Sequence, residues 1–340
     1  MEVSLKEEDI RSKENLDYRW SLYKQDQERL LQKKASFIEV NCPACHKNIC
    51  TLFYERSGFT FKKCKACKTV YVSPRPSQEL LFEHYQNSKA EKYFNEIIYP
   101  KTEKGRVKHL IQPRANRIID FCIKHNVNFD TIVDVGSGVG TFPEIIQQSG
   151  RFKNVYAIEP DPSPAQICRN KGLMVFEDFI EKILKVDFAN VVTSFESIEH
   201  VFSPKHYILN VNYMLKAGGL FIITTPNVMG FDLLTLKDKS DNTTAPDHLN
   251  YFHTESLSLL LESCGFSTLE TLTPGKLDVE LVRDKVLNGK FSLENQPFLQ
   301  RILIDEYESL GQSFQKWISE NGLSSHLWVV AKKNEITRKK

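Results

Sequence analysis

The chain has 340 residues, of which 41% are hydrophobic and 26% charged, with a formal net charge of +2. Those values fit a folded protein with an ample core, and the small net charge argues against a dedicated nucleic-acid binder, which shows a strong basic bias. Residues 1–34 are charge-rich without an apolar core, unlike a signal peptide, and no apolar run approaches the about 18 residues that span a bilayer. A cytoplasmic protein is expected, so the eight cysteines read as metal ligands or reduced thiols and not as disulfides.

Residues 1–36 form a charged extension whose Leu16, Trp20, Tyr23, Leu30 and Leu31 make a loose helical stripe. Residues 37–77 carry Cys42-Pro-Ala-Cys45, eighteen intervening residues, and Cys64-Lys-Ala-Cys67. Each C-x-x-C turn presents two thiolates, and two such turns complete a tetrahedron around Zn2+. A closed S4 site has no open position, so its role is structural. His46 and Cys50 are alternative ligands, and a redox dithiol is the poorer reading because it needs no second pair. The runs Thr51–Tyr54 and Phe59–Phe61 alternate as short ribbon strands. Ser77 then caps a helix from Gln78, and residues 78–104 form a helical connector bearing Tyr85, Tyr93 and Tyr99.

From residue 105 onwards the pattern changes. An amphipathic helix over 111–126 precedes Thr131-Ile-Val-Asp-Val-Gly-Ser-Gly-Val-Gly-Thr141, a buried strand ending in a glycine turn. Further strands are expected at 154–159, 172–176, 188–194, 220–225, 266–272 and 327–331. Helices are expected at 142–148, 164–170, 179–184, 206–215 and 254–264. Such alternation predicts an α/β fold with a doubly wound, mostly parallel sheet over 105–332, a helical insertion at 275–322 before the last strand, and a basic tail at 333–340.

Ligands of open α/β sheets bind at the carboxyl ends of the strands. The glycines Gly136, Gly138 and Gly140 are spaced two apart, and Thr141 stands where a dinucleotide fingerprint has its third glycine. Asp134 would repel a pyrophosphate and suits a cationic or hydroxyl-bearing ligand. Asp134 with Gly136-Ser137-Gly138 and Gly140 resembles the first motif of the class I S-adenosylmethionine-dependent methyltransferases, whose sheet has seven strands with the last antiparallel. The resemblance implies S-adenosyl-L-methionine as cofactor, with Phe142 beside the glycine turn. Glu159, before Pro160 and nineteen residues past Gly140, is placed to accept both ribose hydroxyls. Asp178 and Phe179 would receive the adenine, although Asp178 also suits a helix cap.

Ser194-Phe-Glu196-Ser-Ile-Glu199-His200 resembles the Glu-His segment of ubiquinone-type O-methyltransferases, which implies that Ser194 and Glu196 border the cofactor. Glu199 and His200 would lie beside the transferring methyl, and an imidazole titrates near neutrality, as a general base requires. Leu215-Lys-Ala-Gly-Gly219 with Thr224-Thr-Pro-Asn227 follows the same family, Ala217 replacing its usual proline. Asp247-His248-Leu-Asn-Tyr-Phe252 resembles the Glu-His segment of zinc-containing sugar C-methyltransferases, Asp247 replacing the glutamate; there the acid–His pair is implicated in deprotonating the sugar. His248, oriented by Asp247, is thus a second candidate base, and His253 is expected to be structural. The implied acceptor is a small polar metabolite, a nucleotide sugar or glycan precursor, without membrane or strong nucleic-acid association; a homodimer is open. Alternatives are an RNA methyltransferase gripping a stem with its ribbon and the basic segment Lys101–Lys108, and an inactive methyltransferase-like scaffold. The missing N/D-P-P-Y/F motif weighs against the first.

Overall fold

A computed structural model of the chain describes residues 13–335. Residues 1–12, the tail beyond 335 and the Leu16 side chain lie outside the described residues. The strands in chain order are β1 (Cys50–Arg56), β2 (Phe59–Cys64), β3 (Val70–Val72), β4 (Thr131–Val135), β5 (Asn154–Ile158), β6 (Met174–Phe176), β7 (Ala189–Phe195), β8 (Leu215–Pro226), β9 (Asn250–Tyr251), β10 (Phe266–Leu272) and β11 (His326–Lys333).

Seven of them form one sheet in the order β10-β11-β8-β7-β4-β5-β6. Its pairs are parallel from β8 through β6, whereas β11 runs antiparallel to both β8 and β10. The expected doubly wound sheet with an antiparallel last strand is therefore present. Central strands are apolar on both faces because helices cover both. Val133, Val192 and Ile223 pack against the helices Pro204–Met214 and Thr254–Ser263. Ile132, Val191 and Ile222 pack with the helices Gln112–Lys124 and Thr141–Gln148. The order reverses beside β4, whose register pairs Val135 with Ile158 of β5 and with Ser194 of β7. That places the ends of β4, β5 and β7 around one crevice.

Two differences are local. The helix expected at 179–184 is only a 3-10 turn, Ile180–Lys182. β8 begins at Leu215, earlier than expected, because Ala189 of β7 pairs with it there. The insertion 275–322 is helical, with Asp278–Leu287 and Tyr307–Glu320 enclosing their own core of Val279, Val282, Leu303 and Ile318.

The second sheet has the order β1-β2-β3-β9. Its outer strand β9 is contributed by residues that follow β8, so the ribbon and the large sheet share one chain segment. Arg75 locks this junction. The Pro74-Arg75-Pro76 turn buries its side chain to 1% exposure. Its Nε donates to the Val72 carbonyl at 2.9 Å, Nη1 to Asn250 Oδ1 at 2.9 Å and to the Phe202 carbonyl at 3.2 Å, and Nη2 to the Leu249 carbonyl at 3.2 Å. Asn250 in turn donates through Nδ2 to the carbonyls of Ile198 (3.2 Å) and Val201 (2.8 Å).

The N-terminal helix Lys13–Leu31 closes over this junction. Tyr23, Asp26, Gln27 and Leu30 are buried. Asp26 caps the neighbouring helix by accepting from the Ser88 hydroxyl and the Ala90 amide, both at 3.0 Å. Ser77 caps the helix Gln78–Gln86 as expected. No helix among the described residues is long and apolar enough to cross a membrane.

Lysine presents one point of charge where Arg75 presents a planar fork of donors. Arg75→Lys is expected to strand buried carbonyls, each costing about 1–3 kcal/mol. A loss of about 3 kcal/mol in urea unfolding of the whole chain is the expected result, and a midpoint equal to wild type contradicts the role of the clasp.

Candidate functional site

The crevice starts at the end of β4. Gly136, Gly138 and Gly140 all have positive φ, near 76°, 53° and 73°. A Cβ on Gly140 would stand 2.7 Å from Cys168 Sγ, so this glycine lets the turn pack closely against the helix Pro162–Asn170. Gly138 is different: a Cβ there would meet nothing within 4 Å. Its backbone borders open space, as a ligand-facing turn does. Asp134 is buried beneath the turn and accepts from Thr193 Oγ1 at 2.7 Å. Burial pushes its carboxyl up to about 6. The Ser137 hydroxyl donates to the Asp134 carbonyl and stabilises the turn itself.

Glu159 stands at the end of β5, facing the turn. Its Oε2 accepts from the Gly138 amide at 2.8 Å and its Oε1 from the Asp161 amide at 3.0 Å. Burial pushes it up to about 7. Each oxygen keeps further acceptor capacity. At the end of β6, Asp178 caps its neighbour Phe179, accepting from the Phe179 amide at 2.8 Å, and pairs with Lys182. The Phe179 ring meets Phe82 of the connector edge-on at 5.1 Å, so the connector reaches over this end of the crevice.

Not every expected residue faces the crevice. Ser194 is fully buried and bonded to the Tyr207 hydroxyl at 2.8 Å, turned toward the helix Pro204–Met214. Phe142 is buried against Phe195, ring centroids 4.7 Å apart. Pro160 directs the chain from Glu159 into the helix Pro162–Asn170. Glu196, at a positive φ of 49°, accepts from Thr224 Oγ1 at 2.6 Å and lies 3.6 Å from His326 Nε2. Burial opposes its ionisation, but His326, Thr224 and Arg114 together hold its carboxyl below the usual range.

Beyond β7 the chain turns so that Glu199, His200 and His248 converge, with one ligand atom of each lying within 4.8 Å of the others. Glu199 is fully buried, its Oε2 accepting from Thr225 Oγ1 at 2.9 Å. Burial and then Glu196 push its carboxyl well up. His200 Nδ1 bonds the Asp247 carbonyl at 2.7 Å, and burial lowers its basicity. His248 Nδ1 bonds the Asn242 carbonyl at 2.9 Å. Carbonyls only accept, so both Nδ1 atoms carry hydrogen, and in the neutral ring Nε2 then carries the lone pair. Asp247 therefore supplies its backbone carbonyl to His200, and the partner that orients His248 is Asn242. Burial pushes the Asp247 carboxyl up to about 8. Tyr85 roofs the group, its hydroxyl donating to the Asp247 carbonyl at 3.3 Å and its ring 6.3 Å from that of His200.

Sequence reasoning passed over Arg114. From the helix Gln112–Lys124 its guanidinium lies 4.2 Å over the Phe195 ring, and Glu196 and Asp134 bear on its charge. No motif marks it; the only signal is a basic residue in the helix before the glycine turn.

The ribbon holds a second cluster. Cys42 Sγ lies 3.4 Å from Cys67 Sγ, and Cys45 Sγ lies 3.5 Å from Cys64 Sγ, with all four within 4.8 Å. Neither His46 nor Cys50 belongs to this group. Thiolates about 2.3 Å from one tetrahedral Zn2+ stand about 3.8 Å apart, so the four sulfurs suit a single ion. His253 ties the cluster to the large sheet: its Nε2 bonds the Cys67 carbonyl at 2.7 Å from the start of the helix Thr254–Ser263.

Residues 106–271 match a family model described as a methyltransferase domain. A Mycolicibacterium smegmatis protein named "Probable S-adenosylmethionine-dependent methyltransferase" is 30% identical over 162 residues, 47% of this chain. The match spans 60% of that relative's length. Among solved structures, an S-adenosylmethionine-dependent methyltransferase from Clostridium acetobutylicum aligns with a TM-score of 0.47 at 14% identity, over 73% of this chain and 99% of its own. The 1,6-didemethyltoxoflavin-N1-methyltransferase of Burkholderia thailandensis aligns with a TM-score of 0.47 at 10% identity, over 84% of this chain and 99% of its own.

Proposed function

We propose that the protein is an S-adenosylmethionine-dependent methyltransferase acting on a small polar metabolite, a nucleotide sugar or glycan precursor being the favoured class. The observation that carries this reading is the convergence of Glu199, His200 and His248 beside a glycine turn whose Gly138 faces open space. The crevice residues suit the cofactor. Glu159 keeps acceptor capacity for ribose hydroxyls, Asp134 and Arg114 supply both signs of charge for the amino and carboxylate groups of its methionine part, and Phe179 offers a face to adenine. When bound, the cofactor supplies an electrophilic methyl group on a sulfonium and leaves as S-adenosylhomocysteine.

The chain's residues position the acceptor and take its proton. Fixing two reactants in line supplies on the order of several kcal/mol. In the metal-free protein, Nε2 of His200 or His248 accepts the hydrogen of the acceptor hydroxyl as its oxygen bonds to the methyl carbon. Both imidazoles are held in the tautomer this requires. The roof of Tyr85 and the docked N-terminal helix favours a small acceptor over a polymer. The four cysteines hold one structural Zn2+ and keep the ribbon folded against β9 and His253.

Glu159→Ala is expected to weaken S-adenosylhomocysteine binding by about 10–100-fold in calorimetry, the worth of hydrogen bonds to a charged group. Affinity in wild type should fall as pH drops through about 7. The raised carboxyl then gains its proton and can accept from only one oxygen, and Glu159→Gln should flatten that dependence. Unchanged affinity in Glu159→Ala removes the ribose assignment. For the ribbon, Cys64→Ser should carry about one Zn2+ fewer per chain by elemental analysis; an unchanged content removes the structural-metal assignment.

A further inference from the structure

We propose that Glu199, His200 and His248 form a second metal site, distinct from the cysteine cluster, which binds one divalent transition-metal ion such as Mn2+, Fe2+ or Co2+ and offers it to an oxygen of the acceptor. The inference rests on the methyl-transfer reading only for that last role; ion binding stands on the triad alone.

Three features of the triad point to an ion. First, Glu199 Oε1 is fully buried and has no hydrogen-bond partner among the described residues, while its sister oxygen is anchored on Thr225. A buried carboxyl oxygen left without a partner is costly, and a cation that displaces the carboxyl proton satisfies it. Second, Glu199 Oε1 lies 4.0 Å from His200 Nε2, and the rings of His200 and His248 are 4.9 Å apart. Third, each imidazole donates Nδ1–H to a backbone carbonyl, of Asp247 and of Asn242. That outer bond is how metal-binding histidines are oriented and their Nε2 made a better ligand.

The donor set also selects the ion. Two imidazole nitrogens and one carboxylate oxygen suit borderline first-row divalent metals, and they leave coordination positions open for substrate. The four thiolates of the ribbon suit Zn2+ and close around it. Adjacent donors at about 2.1 Å from an ion stand roughly 3 Å apart, so the triad would draw in by roughly 1 Å. Side-chain torsions of Glu199 and His248 supply such a movement while their outer anchors stay in place. With the ion bound, the two Nε2 atoms serve as ligands, and the acceptor hydroxyl, made acidic by coordination, gives its proton to water as its oxygen takes the methyl group.

The ribbon and the triad share no residue, so they respond separately. The test titrates the zinc-loaded full chain with Mn2+, followed by electron paramagnetic resonance of the free ion. One Mn2+ should bind per chain, and Glu199→Gln and His248→Ala should each weaken it at least about tenfold. Asp247→Asn, whose carboxylate is not a ligand, should bind Mn2+ as wild type does. S-adenosylhomocysteine binding, measured on the same variants, shows that the domain remains folded. Co2+ added to wild type should give visible d–d bands of an N/O site without the strong thiolate charge-transfer absorption. Absence of Mn2+ binding in wild type overturns the proposal, as does an Asp247→Asn loss equal to that of Glu199→Gln. If Mn2+ binds while S-adenosylhomocysteine does not, the methyl-transfer reading fails and the metal site stands.

Discussion

A single buried guanidinium joins the two halves of the site. Arg75 reaches from the ribbon into the seam between β3 and β9 and spends its donors on the carbonyls of Val72, Phe202 and Leu249 and on the Asn250 side chain. Because Asn250 Oδ1 is held by Arg75, its Nδ2 must face the other way, toward the backbone after β7. The amide of Leu249 closes the same seam by donating to the Glu199 carbonyl at 2.7 Å. Glu199 and His200 belong to one segment and His248 to another, nearly fifty residues away. Their meeting depends on this polar seam more than on contacts among themselves. Burial raises the cost of every missing bond in such a network, which is what makes its geometry specific.

The same low-polarity surroundings set the charge state of the crevice. Asp134, Glu159, Glu199 and Asp247 are all pushed up by burial, whereas Glu196 is held down by His326, Thr224 and Arg114. Five carboxyls near one crevice cannot all be ionised cheaply. A cationic ligand relieves that repulsion. A sulfonium beside Asp134 and a divalent ion at Glu199 are two chemically separate ways of doing so, and the two places lie at the ends of adjacent strands β4 and β7.

Most of the large sheet was legible because its strands are runs of Val, Ile and Phe ended by glycine or an acid, and the helices between them show a clear apolar face. The four cysteines were legible from spacing alone. Other features were not. β9 is two residues long, Asn250 and Tyr251, and has no periodicity to detect. Alternation along β7 says that Thr193 and Ser194 face opposite sides, but not that Thr193 is the one that reaches Asp134. Adjacency in sequence made Asp247 the natural partner of His248. The closed loop instead brings the Asn242 carbonyl to His248 and the Asp247 carbonyl to His200, an outcome of tertiary path that neighbouring letters do not encode. Tyr23 and Leu30 lie on a helical stripe in the sequence, but the surface that buries them comes from segments far along the chain.

The central claim is that the crevice moves a methyl group from S-adenosylmethionine to a small polar molecule. It is tested most directly by incubating the full chain with cofactor labelled in its methyl group and a cell extract separated into low-mass metabolites, RNA and protein. The account predicts label in the low-mass polar fraction, lost with His200→Ala. Label confined to RNA or protein, or none in any fraction, would contradict it.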